Sequence, residues 1–192
     1  RGRQGEFVDL VINEMIPLVA KEKLADFIDV FCDTGFFTVE ETDRMLEAGV
    51  RYGLTPKIHA NELDYSGGIE VGVKHGALSV DHLECVGDKE IAALKSSKTM
   101  PTILPGAAFF LNMPYSPARK MISAGLPVAM ASDFNPGSSP SGNMQMVMTF
   151  ACVNYRLTPQ EALNATTINS AYAMGLSRTH GSICRGKQAD FY

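Results

Sequence analysis

Several absences narrow what this chain can be. Its 17 Lys and Arg are scattered and outnumbered by 21 Asp and Glu, for a net charge of -4, so the clustered basic footprint of a nucleic-acid binder is missing. No apolar run approaches the roughly 18 residues that cross a bilayer as a helix, and no membrane partner is expected. The four cysteines, at 32, 85, 152 and 184, show no CxxC spacing, which leaves a zinc finger or a thioredoxin-type pair without support. Reduced, mostly buried thiols in a cytoplasmic protein are the expectation, and Asn164-Ala165-Thr166 is then a chance sequon. No glycine-rich dinucleotide loop follows any predicted strand. An initiating Met is also lacking. The chain opens on Arg1-Gly2-Arg3 and closes on Ala189-Asp190-Phe191-Tyr192, inside what reads as a strand. A piece of a longer protein is the expectation, with any targeting signal outside it.

What is present is a chain of 192 residues, 45% hydrophobic and 20% charged, ordinary values for one globular domain with a sizeable core. Helical spacing runs from Glu6 to Lys23, with Pro17 predicted to kink or restart the helix. Phe27 to Cys32 is rich in β-branched and aromatic residues and reads as a strand. Thr38 with Glu41 forms a capping box for a helix to about Tyr52. A strand ending at His59 follows. Ser66 is expected to cap a helix to about His75, the His82 strand comes next, and Asp88 starts a helix to about Ser97. Thr99 to Leu104 is a further strand, Ser116 to Ala124 a helix, and Leu126 to Phe134 the fifth strand. Two helices then cover roughly 144–155 and 159–174.

The five strands start near residues 27, 57, 78, 100 and 127, at roughly 20- to 30-residue spacing, which is the rhythm of βαβ units with a parallel sheet. Such units build either an open doubly wound sheet or a (β/α)8 barrel, and both carry function at the C-terminal ends of their strands. The missing dinucleotide loop, and polar ligand types at several strand ends, favour a partial (β/α)8 barrel, about its last five strands.

Three predicted strands end in the same way: Pro56-Lys57-Ile58-His59-Ala60-Asn61-Glu62, Leu78-Ser79-Val80-Asp81-His82-Leu83-Glu84 and Pro127-Val128-Ala129-Met130-Ala131-Ser132-Asp133. A lone histidine at a strand end is more often structural than a ligand, and His75 and His180 are assigned to that class. His59, His82 and Asp133 differ because they end strands of one sheet. Imidazole nitrogen and carboxylate oxygen together suit zinc, iron or a similar divalent ion. A hydrolytic metal site also needs a carboxylate that takes up and returns a proton, and Glu62 lies just past the His59 strand; a solvated loop carboxylate is an equal reading of the spacing alone. The loop Asp133-Phe134-Asn135-Pro136-Gly137-Ser138 reads either as a plain turn or as a polar ligand-facing loop. Gly67-Gly68 is adequately explained by a helix start. Phe109, Phe110 and the methionines of 144–148 read as core, and Tyr115 is left open.

These motifs, in combination, resemble the imidazolonepropionase family of the amidohydrolase superfamily, over nearly the whole chain. The stretch Gly181-Ser182-Ile183 followed by Gly186-Lys187-Gln188-Ala189-Asp190-Phe191 is similar to that superfamily's return from the barrel into a small β-sandwich. The expected organisation is therefore barrel over 1–180 and the start of that return over 181–192. The resemblance implies a metal-dependent cyclic amidase that opens 4-imidazolone-5-propanoate to N-formimidoyl-L-glutamate in histidine degradation. It implies one zinc or iron held by His59 and Asp133, catalytic roles for Glu62, His82 and Asp133, substrate contacts from Glu62, Asn135, Gly137 and Ser138, and a homodimer, the assembly common in that family. The family's His-x-His pair, which supplies two further ligands, is nowhere in the sequence. The segment alone is expected to be inactive and to bind metal poorly. A sibling deaminase of a purine- or pyrimidine-type ring and a non-catalytic barrel are the alternatives.

Overall fold

The structure, a computed structural model, describes residues 2–190. Five parallel strands, β1 (Phe27–Cys32), β2 (Thr55–Ala60), β3 (Ser79–His82), β4 (Met100–Ile103) and β5 (Ala129–Met130), pair strictly in chain order. A doubly wound sheet reverses its order at a switch point. Here there is no reversal, so each strand lies beside the next, as in a barrel wall.

Helices separate the strands. Residues 4–22 run as α1 (Gln4–Leu10), a π-helical turn (Val11–Met15) and α2 (Ile16–Glu22). Pro17 lies in the first turn of α2, and because it donates no hydrogen bond the ladder just before it loosens into the π turn rather than breaking. Between β1 and β2 runs α3 (Val39–Arg51), with the expected capping box: the Thr38 hydroxyl accepts from Glu41 N, and Glu41 Oε2 accepts from Thr38 N in return. Next come α4 (Gly68–Lys74) and α5 (Asp88–Lys95). Two short helices, α6 (Pro105–Phe110) and α7 (Ala118–Ser123), join β4 to β5, and α8 (Met144–Asn154), α9 (Pro159–Asn164), a second π turn (Ala165–Asn169) and α10 (Ser170–Ala173) follow.

The sheet has two unlike faces. Val30, Cys32, Ile58, Ala60, Val80, Ile103 and Met130 point to the helices and join Met45, Leu46, Ile69, Leu94 and Met121 in the main core. By alternation and register, the other face carries Asp29 and Phe31 of β1 beside Lys57 and His59 of β2, with Asp81 of β3 beside His59. That face is polar and contains ionisable groups, which suits the lining of a site better than a packed interior.

The helix α4 approaches β2 so closely that a Cβ on Gly68 would stand 2.5 Å from Ala60 Cβ and 3.1 Å from the Cys32 carbonyl oxygen. Gly68→Ala should therefore cost about 1–3 kcal/mol by overpacking, read as a lower melting temperature in the protein of full family length; an unchanged melting temperature would contradict this packing.

Several expectations are corrected. The N-cap of α4 is Gly67, at φ 81°, not Ser66; the Ser66 hydroxyl accepts from Gly68 N and lies 2.9 Å from Cys32 O. The fifth strand is only two residues long, because Pro127 has no N–H to offer the ladder and Asp133 turns out of it at φ 51°. The helix α6 was not expected. Phe109, Phe110 and Met146 are not core: they are 50%, 52% and 40% exposed, with Phe109 stacked on Phe150. Tyr115 packs on Tyr155 and its hydroxyl accepts from Asn154 Nδ2. Of the thiols only Cys32 is buried; Cys85 and Cys152 are half-buried and Cys184 is exposed. Residues 181–190 form turns and bends without a strand, and Phe191 and Tyr192 of the expected return lie outside the described residues. No helix among the described residues is long and apolar enough to cross a membrane.

Candidate active site

A cavity of about 580 Å³ opens at the C-terminal ends of the strands, lined by Asp29, Phe31, Phe36, His59, Glu62, Leu63, His82, Asp133 and Ser138. Its size falls in the range of small-molecule sites. Four of the residues predicted from strand ends therefore meet in one place, and Ser138 of the predicted loop joins them.

Each is delivered differently. His59 projects from β2 by plain alternation, and its Nδ1 donates to Asp29 Oδ1 on β1 at 2.8 Å. When the ring is neutral that bond keeps the proton on Nδ1 and leaves Nε2 as the acceptor atom, the arrangement found where a carboxylate orients a metal-binding imidazole. His82 follows Asp81, so regular alternation would send it among the helices beside Val80. Instead His82 and Leu83 adopt φ 86° and 71°, which swings the imidazole into the cavity; Leu83 is fully buried and anchors the turn. Positive φ at such residues is costly and persists where the surroundings enforce it, commonly at functional sites. Asn61 and Asp133 also lie at positive φ, 55° and 51°, so three strand ends share the same backbone device.

The electrostatics are those of a cation site. Ligand atoms of His59, His82 and Asp133 all lie within 4.8 Å of one another, as do those of Asp29, His59 and Asp81. Burial opposes a charge on His59, but the hydrogen bond to Asp29 and the charges of Asp29, Asp81 and Asp133 overcome it and raise its pKa to about 9. The same field would favour a bound divalent ion, and the imidazole and carboxylate donors present fit one. Burial, and then the neighbouring His59, push His82 down to about 3, so its ring is neutral. Its Nε2 lies 3.6 Å from Glu62 Oε2 and its Nδ1 lies 3.8 Å from Glu84 Oε2. Burial, then Asp133 and Asp33, raise Glu62, and burial raises Glu84 to about 8. Lower on the same face, Ser79 Oγ donates to Asp81 Oδ1 at 2.7 Å, and Lys57 Nζ lies 3.8 Å from Asp81 Oδ2 and donates to Ala173 O.

The loop after Asp133 is a self-contained turn. Asn135 Oδ1 accepts from Gly137 N and Ser138 N, both at 2.8 Å, while its Nδ2 donates to Asp133 O at 2.7 Å. Ser138 Oγ donates to Asp133 Oδ2 at 3.1 Å. Ser138 reaches the cavity; Asn135 and Gly137 do not line it, and Gly137 is exposed. His75 pairs with Asp43, and His180 with Thr179 and Asp190, all outside the cavity. Asp29, Asp33 and Glu84 were missed in the sequence. Asp29 alternates onto the face that holds His59, but their pairing depends on register. Asp33 directly follows a strand, the signal that singled out the others.

Residues 19–192 match the amidohydrolase family Amidohydro_3. Among curated relatives, the imidazolonepropionase of Flavobacterium psychrophilum is 58% identical over 185 residues, 96% of this chain and 45% of that protein. That of Geobacillus kaustophilus is 49% identical over 185 residues, again 96% of this chain, and 44% of its own length. The chain thus spans less than half the length of the relatives it matches. Among solved structures, a variant of the atrazine chlorohydrolase TrzN from Arthrobacter aurescens, complexed with zinc and atraton, superposes with a TM-score of 0.75 at 19% identity, covering 95% of this chain and 46% of that one. A zinc-bound adenosine deaminase from Xanthomonas campestris reaches a TM-score of 0.67 at 18% identity, over 81% of this chain and 40% of that one. With sequence-ordered parallel strands, polar groups converging at their C-terminal ends and a family match from residue 19 to 192, the chain belongs to the amidohydrolase family.

Proposed function

We propose that this chain supplies the last five strands of a metal-dependent cyclic amidase that hydrolyses 4-imidazolone-5-propanoate to N-formimidoyl-L-glutamate in histidine degradation. The observation that carries this reading is the 58% identity to an imidazolonepropionase over 96% of the chain. The finer expectations go with it: zinc or iron as the ion, a homodimer, and the cytoplasm as the place of action. The barrel is read as 1–180, with 181–192 beginning the return to a β-sandwich.

His59 and Asp133 would hold the ion, His59 through the Nε2 that Asp29 leaves free. A divalent ion bound there polarises a carbonyl and lowers the pKa of water. The remaining steps fall to side chains. Glu62 takes the proton from the attacking water and returns it, alone or with Asp133, to the ring nitrogen as the ring C–N bond breaks. His82, held neutral, donates a hydrogen bond to the carbonyl oxygen as it gains charge. Neutrality suits that role, since a neutral imidazole can polarise a carbonyl without surrendering its proton. Ser138 contacts the substrate from the loop and steadies Asp133. Asn135 and Gly137 belong to the same substrate-holding loop, Asn135 by closing the turn that presents Ser138.

The test is a direct assay of the protein of full family length. Imidazolonepropanoate should be opened, and cytosine and guanine left unchanged. Deamination of either base with an intact imidazolone ring would replace this reading with a deaminase, and inertness toward all three would favour a non-catalytic barrel.

A further inference from the structure

Just past the end of β1, Asp33 is only 4% exposed and does not line the cavity. Among the described residues no Lys, Arg or His forms an ion pair with it. Three backbone N–H groups satisfy its carboxylate instead. Oδ2 accepts from Glu62 N at 2.7 Å and from Leu63 N at 3.0 Å, and Oδ1 accepts from Thr34 N at 2.7 Å. A buried carboxylate without a cation is expensive unless hydrogen bonds of this kind compensate it. Two of the three come from the loop that carries the proton-handling carboxylate. The neighbouring Asn61 ties the same loop to the loop after β3, donating from Nδ2 to Cys85 O and accepting Cys85 N at its own carbonyl. Glu62 therefore sits on backbone held from both sides, with Asp33 gripping its own N–H.

We propose that Asp33 is a positioning residue for Glu62: by accepting the Glu62 and Leu63 N–H groups, it holds the Glu62 carboxylate beside His82 and in the cavity. The proposal rests on the proton-transfer role given to Glu62 above. The requirement for aspartate is chemical. An asparagine keeps the shape but turns one acceptor into an N–H2 donor that faces backbone donors. A serine keeps an acceptor but shortens the reach. Neither can accept all three bonds.

In the protein of full family length, Asp33→Asn and Asp33→Ser would each be made alone and together with Glu62→Gln. A catalytic group misplaced by about 1 Å costs roughly 100-fold. The single Asp33 variants should therefore lose about that much in kcat, with bound metal and KM close to those of the parent. In the Glu62→Gln background the same changes should cost only roughly twofold, because the group they position is already gone. Crystal structures should show the Glu62 side chain displaced from His82. Equal losses in both backgrounds would overturn the proposal, as would full kcat with Glu62 unmoved. A parent protein that does not open the imidazolone ring would refute the functional reading instead. The crystal structures would still judge Asp33, a displaced Glu62 supporting it and an unmoved one overturning it.

Discussion

Replacing His59 with alanine in the protein of full family length is expected to abolish bound metal and ring opening together. The geometry explains why the effect should be so large. His59 lines the cavity and is oriented by Asp29 at 2.8 Å through Nδ1, so Nε2 is the ring atom left to bind an ion. Removing even an outer partner of a metal-binding histidine costs roughly 10- to 100-fold, and removing the ligand itself should exceed that. Three carboxylates, Asp29, Asp81 and Asp133, also raise the His59 pKa, and without the imidazole they face one another with less compensation. Asp133→Ala should behave in the same way, since it removes the carboxylate donor from the group that His59 and His82 complete. Metal content measured by mass spectrometry, alongside turnover, decides the matter. Either variant retaining a stoichiometric ion or parental turnover would remove the His59 and Asp133 assignment.

Glu62→Gln should give the opposite pattern: metal retained and chemistry lost. Glu62 does not belong to the close donor groups around His59; it faces His82 Nε2 from 3.6 Å. A glutamine fills nearly the same space and keeps a hydrogen-bonding end, but it cannot accept a proton from water and return it to a leaving nitrogen. General acid-base catalysis is typically worth about 10²- to 10⁴-fold, so kcat should fall within that range while KM changes little. Burial and the charges of Asp133 and Asp33 raise the proton affinity of Glu62, which makes it a stronger base than an exposed carboxylate. Parental kcat in Glu62→Gln would shift the proton-transfer role to another group, and loss of metal in that variant would make Glu62 a ligand.

The two variants divide the site into an ion-holding part and a proton-handling part, and the Asp33 substitutions ask whether the second part depends on the loop backbone. They also rely on different kinds of structural information. His59, Glu62 and Asp133 can be located from the sequence because hydrophobic runs mark strands, and an abrupt polar residue at the end of a run marks the functional rim of a parallel α/β sheet. The parallel order of the sheet follows from the strand and helix spacing, and the capping box at Thr38 from two residue types three apart. Periodicity and capping are local, so a linear pattern records them.

His82, Asp29 and Asp33 are different. The strand pattern suggested that His82 belongs to the site, yet alternation from Asp81 would have turned it away; φ 86° at His82 and 71° at Leu83 bring it in. That conformation is held by packing around a fully buried Leu83, which no local pattern encodes. The partnership of Asp29 with His59 requires β1 and β2 to pair in one register, with Phe31 opposite His59. The three N–H groups that Asp33 accepts include two from residues about 30 positions further along the chain. The loop residue Asn135 shows the converse: its residue type suited substrate contact and a turn equally well, and the fold gives its amide to the turn. Residue types and their spacing thus sufficed for the architecture and the chemical character of the rim. Which side chains touch, and which way each faces, required the folded chain, because register, left-handed backbone and long-range hydrogen bonds arise only when distant segments pack together.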